Sequence, residues 1–184
     1  MLATGLLAGG SWLLAQWLDL NWAWGGWEKT LAGAGVGLAV IAASDAVVHF
    51  CMVGLFRDGY LSRLRALAEY FRPQSAMLIV LGGVMAGAEE MFFRGVILTA
   101  LCERAHWTQV QAGVAAALFF GLVHLFLRRD FWIFGVWAVW EGALLSWIFV
   151  QTDSLAATAL AHMIHDAAGF AILRNERDSG RFLT

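Results

Sequence analysis

Charge is what this chain has least of. Lys, Arg, Asp and Glu make up 14% of its 184 residues, against 60% in the apolar set. A soluble domain carries about 25% charge, so the composition excludes an ordinary water-soluble globule and reads as an integral membrane protein. Proline occurs once, which leaves few breaks and predicts long helices. The two cysteines give neither a disulfide framework nor metal-type spacing, because Cys51 and Cys102 fall near opposite ends of successive apolar runs, on opposite sides of a membrane. A net charge of -2 with no basic tract leaves no footprint for nucleic acid. The alternating ten-residue segments of a β-barrel are missing too, and helices are the other arrangement that satisfies its own backbone in lipid. No basic segment leads the first twenty residues, which are read as a retained span and not as a cleaved signal.

What is present are six apolar runs, over 2–18, 31–56, 75–101, 108–127, 131–150 and 154–173. Each is taken as a crossing of a bilayer core that needs about 20 residues. The expected fold is therefore all-α, a polytopic membrane bundle of about six transmembrane helices forming one domain over 1–184, with 75–173 as its motif-bearing core. Small residues recur at helix-contact spacing: Gly33 with Gly37, Gly83 with Gly87, and Gly113 with Ala117 and Gly121. Trp22, Trp24 and Trp27 in the 20–29 loop suit an interfacial belt. Segment 57–72 spaces Leu61, Leu64, Leu67, Ala68 and Phe71 at helical intervals among Arg63, Arg65 and Glu69, which predicts an amphipathic helix on the membrane surface, ended by Pro73. Counting Lys and Arg puts nine on the side holding 57–72, Arg128, Arg129 and the tail with Arg181, and two, Lys29 and Arg104, on the other. The positive-inside rule then sets both termini in the cytoplasm.

Against this background certain polar residues stand out. Glu89, Glu90 and Arg94 lie inside the 77–101 run, where each charge costs about 2.5 to 3.5 kcal/mol to insert. Glu90 and Arg94 are four apart and face each other as an ion pair, whereas Glu89 points about 100° away. One glutamate is neutralised and the other is left over. Asp45, His49, His124, Glu141, His162, His165 and Asp166 complete the polar set within the spans. His162 and Asp166 are four apart, so the carboxylate is expected to fix one imidazole nitrogen and aim the other into the bundle. His165 falls on a different face without such support and is set aside. His124 stands four after Phe120, whose ring can pack beside it and hold it.

The ordered trio Glu-Glu-x-x-x-Arg at 89–94, Phe-x-x-x-His at 120–124 and His-x-x-x-Asp at 162–166 resembles the CAAX protease and bacteriocin-processing (CPBP, Abi) family of glutamic intramembrane peptidases. The resemblance implies hydrolysis of a peptide bond at or within the membrane, without a covalent intermediate, a cofactor or a metal. By it, Glu89 is the general base that activates water and His124 its co-holder; His162 and Asp166 stabilise the oxyanion; Glu90, Arg94 and Phe120 give structural support. The implied partners are the lipid bilayer and a membrane-anchored protein or peptide substrate, such as a C-terminal tail, a sorting signal, or a bacteriocin or signal peptide. The short chain resembles prokaryotic members, which places it in the cell (inner) membrane. Position 166 is often Asn in the family, and ionised Asp cannot donate to an oxyanion, so Asp166 either is protonated or orients His162.

Depth raises a question of its own. At about 1.5 Å per residue His124 falls near the cytoplasmic end of its span and Glu89 near the middle of its own, so either the third helix starts earlier or Gly82 and Gly83 bend it. Two other readings use the same polar residues. A zinc hydrolase would take Glu89, His124, His162 and Asp166 as ligands, but the chain has no His-Glu-x-x-His and the Arg94 charge opposes a cation there. A carrier or scaffold would use Asp45, His49 and Glu141 as a relay, yet inverted repeats and broken helices are not evident.

Overall fold

The computed structural model of the chain describes residues 2–127 and 132–179. Arg128, Arg129 and Arg181, counted in the charge argument, lie outside the described residues. The fold is an all-α membrane helical bundle. Its helices are α1 (Leu2–Trp17), α2 (Trp27–Phe71), α3 (Ala76–Glu103), α4 (Gln109–Leu127), α5 (Trp132–Thr152) and α6 (Leu155–Ser179). Four of them, α2, α3, α5 and α6, are long and apolar enough to cross a membrane. The first expected span is the shortest helix: α1 has 16 residues and stops at Trp17, where Asp19 turns into the left-handed region at φ 50°. The apolar part of α4, Gln109–Leu125, is also short of the others.

The long α2 joins two expected elements. A break at Phe56 (φ -140°, ψ 34°) separates the apolar crossing from the amphipathic segment, and His49 Nδ1 meets the Tyr60 hydroxyl across it at 3.1 Å. Beyond the break Tyr60 and Ala68 are buried while Arg57, Arg63 and Arg65 are exposed, the two-faced pattern expected of a surface helix.

α6 lies at the centre, against α2 on one side and α3 on another, and α4 and α5 form an antiparallel hairpin that closes the bundle. The small-residue spacings mark these seams. A Cβ on Gly83 would stand 2.9 Å from the Met163 carbonyl of α6, and one on Gly121 would run into Val139 and the Gly135 carbonyl of α5. Glycine at both positions lets backbone approach backbone, which is how helices bind each other where lipid offers no hydrophobic drive. The Gly33 and Gly37 face instead makes room for side chains, those of Thr152 and Ala157 at Gly33 and of Ile148 at Gly37.

The loops at the other end are pinned to one another. Ser154 caps α6, accepting the Ala157 N–H and donating to the Trp24 carbonyl at 2.8 Å. Lys29 pairs with Asp153, and Arg104 with Asp19 and the Leu18 carbonyl, so both cations of that side are engaged locally.

Candidate active site

The 89–94 motif sits where α3 changes its winding. Ala76–Glu90 is regular α-helix and Met91–Leu98 is π-helix. The irregularity therefore follows the glutamates and does not fall at Gly82 and Gly83. A π turn takes carbonyls off the i→i−4 ladder, and such turns recur at functional sites. Two of the carbonyls here take side-chain donors: Trp22 Nε1–H donates to that of Gly95 at 2.8 Å, and the Thr99 hydroxyl to that of Arg94 at 2.8 Å. Trp22 is thus an anchor packed on the π-helix, while Trp24 and Trp27 of the same loop remain exposed.

Glu90 and Arg94 pair as their spacing dictates. Arg94 Nη1 donates to Glu90 Oε1 at 2.8 Å, with both side chains wholly buried. Arg94 Nη2 donates to the Gly142 carbonyl of α5 at 2.6 Å, and the guanidinium lies 5.4 Å from the centre of the Phe120 ring. A charge with no access to water needs such partners, because an unpaired one costs several kcal/mol; Glu90 Oε2 and Arg94 Nε find no hydrogen-bond partner among the described residues.

His162 has a different partner from the one its helix offers. Its Nδ1–H donates to Glu90 Oε1 at 2.7 Å, the oxygen that also receives Arg94. Asp166 stands 3.7 Å from Nε2, too far for a hydrogen bond. The expectation that Asp166 fixes the ring is corrected accordingly. Four-residue spacing brings Asp166 alongside, but the shorter, fully buried contact comes from α3, and it is Glu90 that sets the ring and turns Nε2 toward Asp166.

Phe120 gathers the rest. Its ring packs edge-on to Phe93 at 4.9 Å and to His162 at 5.9 Å between centres, and lies 4.4 Å from the His124 ring. His124 Nδ1–H donates to the Phe120 carbonyl at 2.8 Å, which leaves Nε2 as the acceptor. With Phe120 against Phe93 in antiparallel helices, His124 one turn on stands level with Glu89 and Glu90 one turn back, so the mismatch in depth is removed by the way α3 extends past the end of α4. Among the described residues no hydrogen bond or ion pair links His124 to Glu89, His162 or Asp166. Glu89 itself is half-buried, makes no hydrogen bond or ion pair among the described residues, and faces the charges of His162, Asp166 and Arg94.

A second cluster joins the first at Asp166. His165 Nε2–H donates to Asp45 Oδ2 of α2 at 2.7 Å, and Nδ1 lies 2.8 Å from Glu141 Oε1 of α5 and 3.4 Å from Asp166 Oδ1. Setting His165 aside for lack of support within its own helix is therefore a second correction, since all of its close support comes from other helices and from its neighbour. Asp45 and Glu141 meet at this ring, whereas His49 is occupied with Tyr60, so the three do not form the relay of the carrier reading. Nor do the four residues of the zinc reading converge. The described residues whose ligand atoms do so are Glu141, His165 and Asp166. The signal for them was visible as lone polar residues in apolar runs, but no spacing pairs 45 with 165 or 141 with 165.

Fold and site together define a polytopic helical membrane protein with a carboxylate- and histidine-lined centre between α3, α4 and α6. The sequence model of the Type II CAAX prenyl endopeptidase Rce1-like family matches residues 71–168, more than half of the chain and all three motifs. The chain belongs to that family of CAAX-type endopeptidases, and so to the membrane proteases. Neither the curated proteins nor the solved structures compared with it give a match.

Proposed function

We propose that the protein hydrolyses a peptide bond of a membrane-anchored protein or peptide with a water molecule activated by Glu89 and held by His124, and that His162 faces the oxyanion. The observation that carries this reading is the unequal use of two adjacent carboxylates. Glu90 is consumed by Arg94 and His162, while Glu89 beside it is uncommitted. An uncommitted carboxylate can take a proton from water, pass it to the leaving amine and return to its starting state, which is the work of a general base and acid. His162 Nδ1 is already donating to Glu90, so Nε2 donates to an oxyanion when the ring carries both protons. A donor preorganised in a dry site is worth about 3 to 4 kcal/mol to the developing charge. Asp166 beyond Nε2 is the counter-charge of that imidazolium in this scheme.

The test is Glu89→Gln in purified protein reconstituted in liposomes, assayed on a library of peptides carrying a membrane anchor. Cleavage should fall by about 10²–10⁴-fold with the unfolding temperature unchanged. Full activity in this variant overturns the assignment. The same reading sets the protein in the inner membrane of a prokaryotic cell with both termini in the cytoplasm, supported by the asymmetry of nine Lys and Arg against two. Reporter fusions after Thr184 and within the 20–29 loop should report opposite faces, and a C-terminus reported outside reverses the orientation.

A further inference from the structure

The His165 cluster has more acceptors than donors. Because Nε2–H is given to Asp45 at 2.7 Å, a neutral ring carries its lone pair on Nδ1. That lone pair looks at two carboxylate oxygens, Glu141 Oε1 at 2.8 Å and Asp166 Oδ1 at 3.4 Å, and the three atoms all lie within 4.8 Å of one another. Acceptors gather like this around a cation. A proton on Nδ1 would serve if the N–H pointed along one of these contacts. Among the described residues, however, neither His165 Nδ1 nor Glu141 Oε1 has a partner in hydrogen-bond geometry, although Glu141 is only 8% exposed. The two atoms stand 2.8 Å apart without meeting the geometry of a hydrogen bond, which leaves both available to a third group.

We propose that Glu141 Oε1, His165 Nδ1 and Asp166 Oδ1 bind a divalent transition-metal ion, with Asp45 as the carboxylate behind the ligating imidazole. Tetrahedral zinc takes nitrogen and oxygen ligands at about 2.0–2.2 Å, which sets neighbouring ligand atoms about 3.3–3.6 Å apart; the 3.4 Å between His165 Nδ1 and Asp166 Oδ1 fits this, and Glu141 Oε1 at 2.8 Å has to move outward on binding. One imidazole nitrogen and two carboxylate oxygens are a donor set for zinc and its neighbours and not for the harder magnesium or calcium. The Asp45–His165 bond supplies the orienting partner that metal-ligating histidines have. Three carboxylates in a membrane span also leave an excess of negative charge that a dication offsets. Asp166 keeps a partly exposed side chain, so the site is not sealed from outside. The ion would tie α5 to α6 directly and to α2 through Asp45. With Asp166 engaged as a ligand, donation to the oxyanion falls to His162 alone. The site shares Asp166 with the proposed machinery and excludes Glu89, His124 and His162, so metal binding is read independently of whether those residues cleave peptides.

The full-length protein, purified in detergent and stripped with a chelator, is to be titrated with Zn²⁺ by calorimetry and with Co²⁺ by visible absorption, with the unfolding temperature followed in parallel. One equivalent of Zn²⁺ should bind and raise the unfolding temperature, and Co²⁺ should develop ligand-field bands. Glu141→Gln and His165→Gln should each abolish stoichiometric binding, and Glu89→Gln should leave it intact. Asp45→Asn, which removes no ligand, should weaken binding by about 10–100-fold. That variant keeps the assignment testable if the ligand variants fail to fold. Absence of saturable uptake by the wild type, binding that survives loss of Glu141 and His165, unchanged affinity in Asp45→Asn, or binding lost in Glu89→Gln would each overturn the site.

Discussion

His162 and His165 lie within one turn of α6, and each is held by carboxylates from other helices, yet their surroundings differ in balance. Around His162 a single carboxylate, Glu90, faces a guanidinium and an imidazole, and the side chains are 0–3% exposed. Around His165 three carboxylates face one imidazole, with side-chain exposures of 11–30%. The first cluster pairs its charges and is dry, so apart from His162 Nε2 it presents little to a ligand and serves to lock α3 to α5 and α6. The second has acid to spare and an opening. Excess charge next to partial solvent access is the condition for binding something, whereas balance with full burial is the condition for holding a fold. Glu89 extends the contrast along α3, since the adjacent residue is closed off and it is not.

The sharpest way to break this contrast is to open the closed cluster. Glu90→Gln strands the Arg94 charge at a place without water, and Arg94→Leu strands Glu90. Each should cost about 3–5 kcal/mol, read as a fall in unfolding temperature or loss of folded protein in detergent. The double variant, Glu90→Gln with Arg94→Leu, leaves no lone charge from the pair and should recover part of this. Recovery stays incomplete because His162 Nδ1 loses its ionic acceptor and the Gly142 carbonyl loses a donor. If Glu90→Gln unfolds like the wild type and is inactive, while Glu89→Gln still cleaves, the two carboxylates have exchanged roles.

What could be read in the chain before its fold was seen divides along the same line. Apolar runs gave the helices to within a few residues, because backbone satisfaction in lipid leaves one choice over such lengths. The Glu90–Arg94 pair was legible because both partners belong to one helix and spacing alone fixes their contact. The family motifs were legible for the same reason, each being a short-range pattern. His162 with Glu90 and His165 with Asp45 and Glu141 were not, since these contacts join residues 72 to 120 positions apart or on separate helices, whose rotation about their axes periodicity does not determine. Nor does any residue type announce the π-helix after Glu90, which depends on Trp22 and Thr99 taking up the displaced carbonyls.

The smallest change is expected at the residue the two clusters share. Asp166 stands 3.7 Å from His162 Nε2 and 3.4 Å from His165 Nδ1, and its side chain is 30% exposed. Contacts this long to a partly hydrated carboxylate are weak, so in metal-stripped protein Asp166→Asn, equal in size, should shift stability by less than about 1 kcal/mol. Its effect on cleavage separates two roles. If the carboxylate only attends the oxyanion region, the amide can donate where ionised Asp cannot, and turnover should stay within about tenfold of wild type. If the charge is needed to keep both protons on His162, Asp166→Asn should lose activity nearly as fully as Glu89→Gln while remaining folded. Asp166→Leu, which removes donor and charge together, should be poor under either role and calibrates the assay. A loss of stability as large as that of Glu90→Gln would show that Asp166 belongs to the closed cluster, and the division between the two histidines would fail at the residue that joins them.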